Sequence, residues 1–170
     1  MRFTFLFVSM IICITAQIAL RAIGINLPLL PLLIFYAAYV YGPIFGFGIV
    51  LPAAFLLDFN GGWEHPWSTF GFLFAAGFSF FWLKKIESDS LLLLTVPGFI
   101  LPIIGELPQN LIVGGFSVSN ILESCADAMA NGVLCAVLFP FWIILLDFFS
   151  KKLGLSTYGE AKERIKKENI

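Results

Sequence analysis

The sequence predicts an all-α integral membrane bundle of six transmembrane helices, with both termini in the cytoplasm. Three observations carry that prediction. The 170 residues are 59% hydrophobic and only 12% charged, whereas a soluble domain carries about a quarter charged residues. From Phe3 to Phe149 charge enters only at intervals, at Arg21, Asp58, Glu64, Lys84, Lys85, Glu87, Asp89, Glu106, Glu123, Asp127 and Asp147. The stretches between these charges are about the length a bilayer requires. They lack the alternation over about 10 residues that marks a membrane β-strand. Helices are then the remaining way to satisfy the backbone in lipid.

The first segment runs from Phe3 to Leu20, between Arg2 and Arg21. It has the basic start and apolar core of a signal peptide, but the rest of the chain is equally apolar, so an uncleaved first helix is the simpler reading. The second spans about Leu27 to Tyr41, with Pro28 near its start. The third runs from Pro43 to Leu57 and closes on Asp58, before the loop that carries Trp63, Glu64 and His65. The fourth covers Trp67 to Leu83 and ends at Lys84 and Lys85. The fifth, Leu91 to about Gly105, has Ser88, Asp89 and Ser90 as N-cap candidates. Residues 106–120 are expected as a loop or short helix on the outer surface. The sixth segment, Ile121 to Phe149, has Asn120 as an N-cap and Glu123 three residues on, which resembles a capping box. The second and third segments are short, about 22 Å each against roughly 30 Å of hydrocarbon. Two crossings or a re-entrant hairpin fit them, and neither changes the side on which the chain ends.

Orientation follows from the basic residues. Six of the ten lie after Phe149: Lys151, Lys152, Lys162, Arg164, Lys166 and Lys167. With the N-terminus inside and six crossings, only Arg21 falls outside. Residues 1–150 thus read as the membrane domain and 151–170 as a basic cytoplasmic tail, suited to an anionic leaflet.

Few residues offer chemistry. His65 is the only histidine, and the H-E-x-x-H, P-loop and G-x-S-x-G patterns are missing from the sequence. Cys13, Cys125 and Cys135 are odd in number and scattered, which supports neither disulfides nor a zinc site. The expectation is a chain without enzyme activity, cofactor, metal or nucleic-acid partner. Asp58 reads either as an interfacial charge in water or as a carboxylate that organises helix ends. Glu123, Asp127 and Asn131 share one helix stripe, where the two acids match a helix N-terminus and the deeper Asn131 suits an interhelical hydrogen bond. Gly42 and Gly46, Gly71 and Ala75, and Ala128, Gly132 and Ala136 have the small-xxx-small spacing of close helix crossings.

Taken together, several stretches resemble the rod shape-determining MreD family. They are the proline-containing run from Pro28 to the aromatic turn at Gly42, the Gly-rich third segment from Phe45 to Asp58, Ala130-Asn131-Gly132-Val133-Leu134, and Phe139-Pro140-Phe141-Trp142 before the basic tail. The resemblance covers nearly the whole chain. It implies a scaffold of the bacterial inner membrane that binds MreC and other elongation-complex components and supports lateral peptidoglycan synthesis. It also implies a fold similar to the substrate-binding subunits of energy-coupling-factor transporters, and a vitamin- or metal-binding subunit of that kind is the alternative. A lipid phosphotransferase would need a paired-aspartate signature that this chain lacks. Asp58, Asp127, Asn131, Gly132 and Pro140 are the positions at which partner binding or its structural support is expected, in a membrane-lipid setting.

Overall fold

A computed structural model describes residues 1–23, 25, 27–60, 67–85 and 91–168. The expectations for Trp63, Glu64, His65 and the caps Ser88, Asp89 and Ser90 lie outside the described residues. The described chain is helical: α1 (Arg2–Ala22), α2 (Leu29–Tyr41), α3 (Pro43–Asn60), α4 (Trp67–Lys85), a 3₁₀ turn (Leu91–Leu94), α5 (Thr95–Gly114), α6 (Val118–Lys152) and α7 (Tyr158–Glu168). Three of these, α1, α3 and α6, are long and apolar enough to cross a membrane. Leu29–Tyr41 and Ser68–Trp82 are shorter apolar helices.

The second helix is the centre of the bundle. Every residue from Leu29 to Tyr41 is buried, and α1, α3, α4, α5 and α7 all pack against it. A helix covered on all sides must be apolar all round, and this one has no polar stripe. Pro31 is accommodated because it sits in the first turn, where backbone N–H groups have no helical acceptor. The helix stops at Gly42, whose φ of +102° suits glycine, and Pro43 opens α3 with its φ already set for a helix.

Glycines set the helix crossings. A Cβ at Gly46 would stand 2.7 Å from that of Ala38, at Gly98 2.8 Å from that of Phe139, and at Gly132 2.9 Å from the Phe99 carbonyl. Gly71 lies still closer to the Gly105 backbone. The expected small-residue stripes therefore serve packing within the chain, between α2 and α3, α4 and α5, and α5 and α6.

Two boundaries differ from expectation. The fifth helix does not end near Gly105; it continues through Pro108 to Gly114, running alongside α6. The sixth begins at Val118 and is capped by Ser117, whose Oγ accepts from the Asn120 N–H at 3.2 Å. Asn120 instead turns its side-chain amide onto the Gly114 carbonyl and closes the α5–α6 turn. Serine in extended backbone caps as well as asparagine does, so the helix starts about one turn earlier than Asn120 predicts.

Beyond α6 the chain makes two tight local motifs. Gly154, at φ +65°, ends the helix, with Gly154 N–H on the Lys151 carbonyl and Leu155 N–H on the Ser150 carbonyl. Thr157 and Glu160 then form a reciprocal capping box: Thr157 N–H donates to Glu160 Oε2 and Glu160 N–H to Thr157 Oγ1. The basic segment expected as a tail thus contains α7, with Tyr158 and Ala161 buried in the same core as α2.

Outside this core, α1, α3 and α6 expose many large apolar side chains. The buried stripe of α6 is Ser124, Ala128, Gly132, Cys135, Phe139, Ile143, Leu146 and Ser150. Val133, Val137, Phe141, Ile144 and Phe148 on its other faces are exposed. The third helix likewise exposes Leu51 and Phe55, and α1 exposes Phe7 and Ile12. So many exposed apolar side chains on three long helices call for lipid as their solvent.

Candidate docking site

Asp58 stands in the last turn of α3 and is only 5% exposed. Both its oxygens accept from the Ser68 N–H, at 3.2 and 3.4 Å, and Oδ1 accepts from Ser68 Oγ at 2.5 Å. The carboxylate therefore sits at the start of α4, where backbone N–H groups lack helical acceptors and the helix dipole favours negative charge. Of the two readings open for Asp58, the organiser of helix ends is the one its surroundings match.

Asn131 makes the interhelical bond its depth suggests. Its Nδ2 donates to Glu106 Oε2 of α5 at 2.7 Å. Glu106 is 6% exposed, so it is a buried partner of α6 rather than the start of an outer loop. Gly132, next along, lets the Phe99 backbone approach. Asp127 and Glu123 are exposed on α6, and Pro140 is half-buried within it.

These positions form a band, not one pocket. Asp58 ties α3 to α4 through Ser68. Three residues into α4 from there, Gly71 meets Gly105 of α5. Next to Gly105, Glu106 ties α5 to α6 through Asn131. Four consecutive helices are thus laced at one level by two polar pairs with a backbone contact between them. Asp58 and Asn131 belong to separate pairs, and Asp127 and Pro140 to neither.

A second polar cluster stands at the opposite end of the bundle, and sequence reasoning missed it. All four tyrosines of the chain gather there. Tyr36 OH donates to Asp147 Oδ1 at 2.9 Å and lies 3.2 Å from Ser150 Oγ; Tyr41 OH lies 2.9 Å from the same hydroxyl. The Tyr158 N–H donates to Asp147 Oδ1 at 2.8 Å, and the Tyr158 ring stacks on Tyr39 with centroids 4.2 Å apart. Arg164 Nη2 donates to the Val40 carbonyl at 3.2 Å, supplying a cation to the C-terminal end of a buried helix. Phe5 of α1 packs edge-on against Tyr41 at 6.5 Å, so the start of α1, the ends of α2 and α6, and α7 share this end. The signals that reveal α7 are local: a glycine just past α6 and the Thr157-x-x-Glu160 spacing.

Asp58, Glu106 and Asp147 each accept a hydrogen bond from another helix, so the arrangement joins helices. Among the described residues, no three His, Cys, Asp or Glu side chains are grouped to hold a metal. The three cysteines are free thiols. Comparison with known proteins gives no match to a family model, a curated protein or a solved structure.

Proposed function

We propose that this chain is a non-enzymatic membrane scaffold of the MreD type. It would cross the bacterial inner membrane six times with both termini cytoplasmic, bind an MreC-like protein, and support lateral peptidoglycan synthesis in the elongation complex. The observation that carries the reading is the use made of three carboxylates: Asp58 and Glu106, both buried, and the half-buried Asp147 are engaged in fastening helices. The surface left for other molecules is an apolar exterior suited to lipid and to transmembrane helices. The α1 start, through Phe5 on Tyr41, and α7, through Tyr158 on Tyr39 and Asp147, lie at the same end of the bundle, which agrees with termini on one side.

The test is affinity purification of the tagged full chain from its native membrane, with mass spectrometry of what accompanies it. The expected companions are an MreC-like protein and other elongation components. Recovery of transporter ATPase subunits in their place would overturn the reading and favour a substrate-binding subunit of an energy-coupling-factor transporter.

A further inference from the structure

An apolar crevice lies between the start of α1 and the turn that follows α6. Met1, Thr4, Phe5 and Val8 form one wall, and Leu153 and Leu155 the other, around about 290 Å³ of open space. The second wall is fixed by the end of α6. Gly154, at φ +65°, donates its N–H to the Lys151 carbonyl, and Leu155 donates to that of Ser150. This closed turn holds the two leucines on either side of the glycine at the crevice.

Basic side chains rim the crevice. Arg2 belongs to the turn of α1 that forms the first wall, and Lys151 and Lys152 lead directly into Leu153; all three are exposed. The acids flanking the lysines along the chain are engaged elsewhere. Asp147 accepts from Tyr36 and Tyr158, and Glu160 accepts from the Thr157 N–H. Lys152 rests its ammonium 4.5 Å over the Phe148 ring rather than on a carboxylate. Phe148 and Phe149, also exposed, come just before the lysines. The change from exposed phenylalanine to exposed lysine marks where α6 leaves the hydrocarbon, so the crevice opens at headgroup level.

We propose that this crevice holds an anionic phospholipid, with one acyl chain along Thr4 and Val8 and the phosphate at Arg2, Lys151 and Lys152. The juxtaposition selects the ligand. An apolar cleft alone takes any chain, and exposed bases alone take any anion. An amphiphile with an anionic head satisfies both at once. A zwitterionic lipid fits the cleft but brings a cation to a rim that is already basic. Such a lipid binds whichever protein the scaffold has as its partner, so its site stands apart from the reading of the elongation complex.

The test uses the full chain, purified in mild detergent, stripped of lipid and titrated with phosphatidylglycerol or phosphatidylcholine, with bound lipid counted by native mass spectrometry. One phosphatidylglycerol is expected to bind at about tenfold lower concentration than phosphatidylcholine. Lys151→Gln combined with Lys152→Gln removes that preference. Thr4→Trp, which fills the crevice from an exposed position, weakens phosphatidylglycerol binding about tenfold. Val8→Phe, a smaller filling of the same wall, decides the matter if the Trp variant does not accumulate. Lys167→Gln, at an exposed base of α7, leaves binding unchanged, and glycerol 3-phosphate, a headgroup without a tail, does not compete. Equal binding of the two lipids, or a preference that survives loss of both lysines, overturns the proposal. A preference lost with the lysines but indifferent to filling at positions 4 and 8 reduces the site to surface charge and overturns the crevice. Competition by glycerol 3-phosphate, or a protein chain in place of lipid that Thr4→Trp releases, overturns it as well.

Discussion

The two ends of the bundle are held by different means. At the α7 end, Asp147, Ser150, Tyr36, Tyr41 and Tyr158 form one connected network, and Tyr36 and Asp147 are 111 positions apart in the chain. At the Asp58 end, the bonds join successive helices: Asp58 with Ser68, and Asn131 with Glu106, separated by 10 and 25 positions. The first end is closed by long-range contacts that form only once α2, α6 and α7 are assembled. The second is a row of local clasps between consecutive hairpins. Loss of one member should therefore spread further at the α7 end, except where a clasp depends on the backbone contact between α4 and α5.

That exception gives the largest expected effect. Gly71→Leu forces α4 away from the Gly105 backbone and strains both flanking polar pairs, so thermal unfolding of the detergent-solubilised protein should report a loss of about 3 kcal/mol or more. Gly71→Ala should lose less but in the same direction. Amide exchange in α7 of that milder variant should stay near wild type if the two ends are independent; equal loosening of both ends would dissolve the distinction.

Asp147→Ala comes next. It removes the acceptor for the Tyr36 hydroxyl and the Tyr158 N–H, at an expected cost of about 2–3 kcal/mol, and it should release α7 to proteolysis. Asp58→Ala takes the cap from α4 and should cost about 1–2 kcal/mol in the same unfolding assay, with α7 still protected. A larger effect at Asp58 than at Asp147 would reverse the ranking of the two ends. The smallest change is expected for Asp127→Ala. Its side chain is exposed, and the shift should fall within about 0.5 kcal/mol.

The helices themselves were legible in the sequence because hydropathy in a membrane chain is a nearly direct record of them. The segments from Phe3 to Leu83 match α1 to α4 to within a few residues. The failures share one cause. Reading charge as a marker of water stops the fifth helix before Glu106 and leaves Asp147 as one more charge at the edge of the apolar run. In the fold both are bonded between helices. Nothing local distinguishes a carboxylate that meets water from one that meets an Asn 25 residues on or a Tyr 111 residues back. Asn131 was legible for the complementary reason, since an amide set deep in an apolar helix has few uses besides an interhelical bond. For α7 the cues were present at Gly154 and at Thr157-x-x-Glu160, but the positive charge of the segment made a solvated tail the natural expectation.

The central claim, that α6 crosses the membrane with the docked α7 inside and the α5–α6 turn outside, is tested most directly by thiol labelling in intact spheroplasts. Single cysteines replace Val118 and Gly159, both exposed, in a chain whose Cys13, Cys125 and Cys135 are changed to alanine. An impermeant maleimide should label position 118 at once and position 159 only after permeabilisation. Labelling of both positions from the same side would contradict the account.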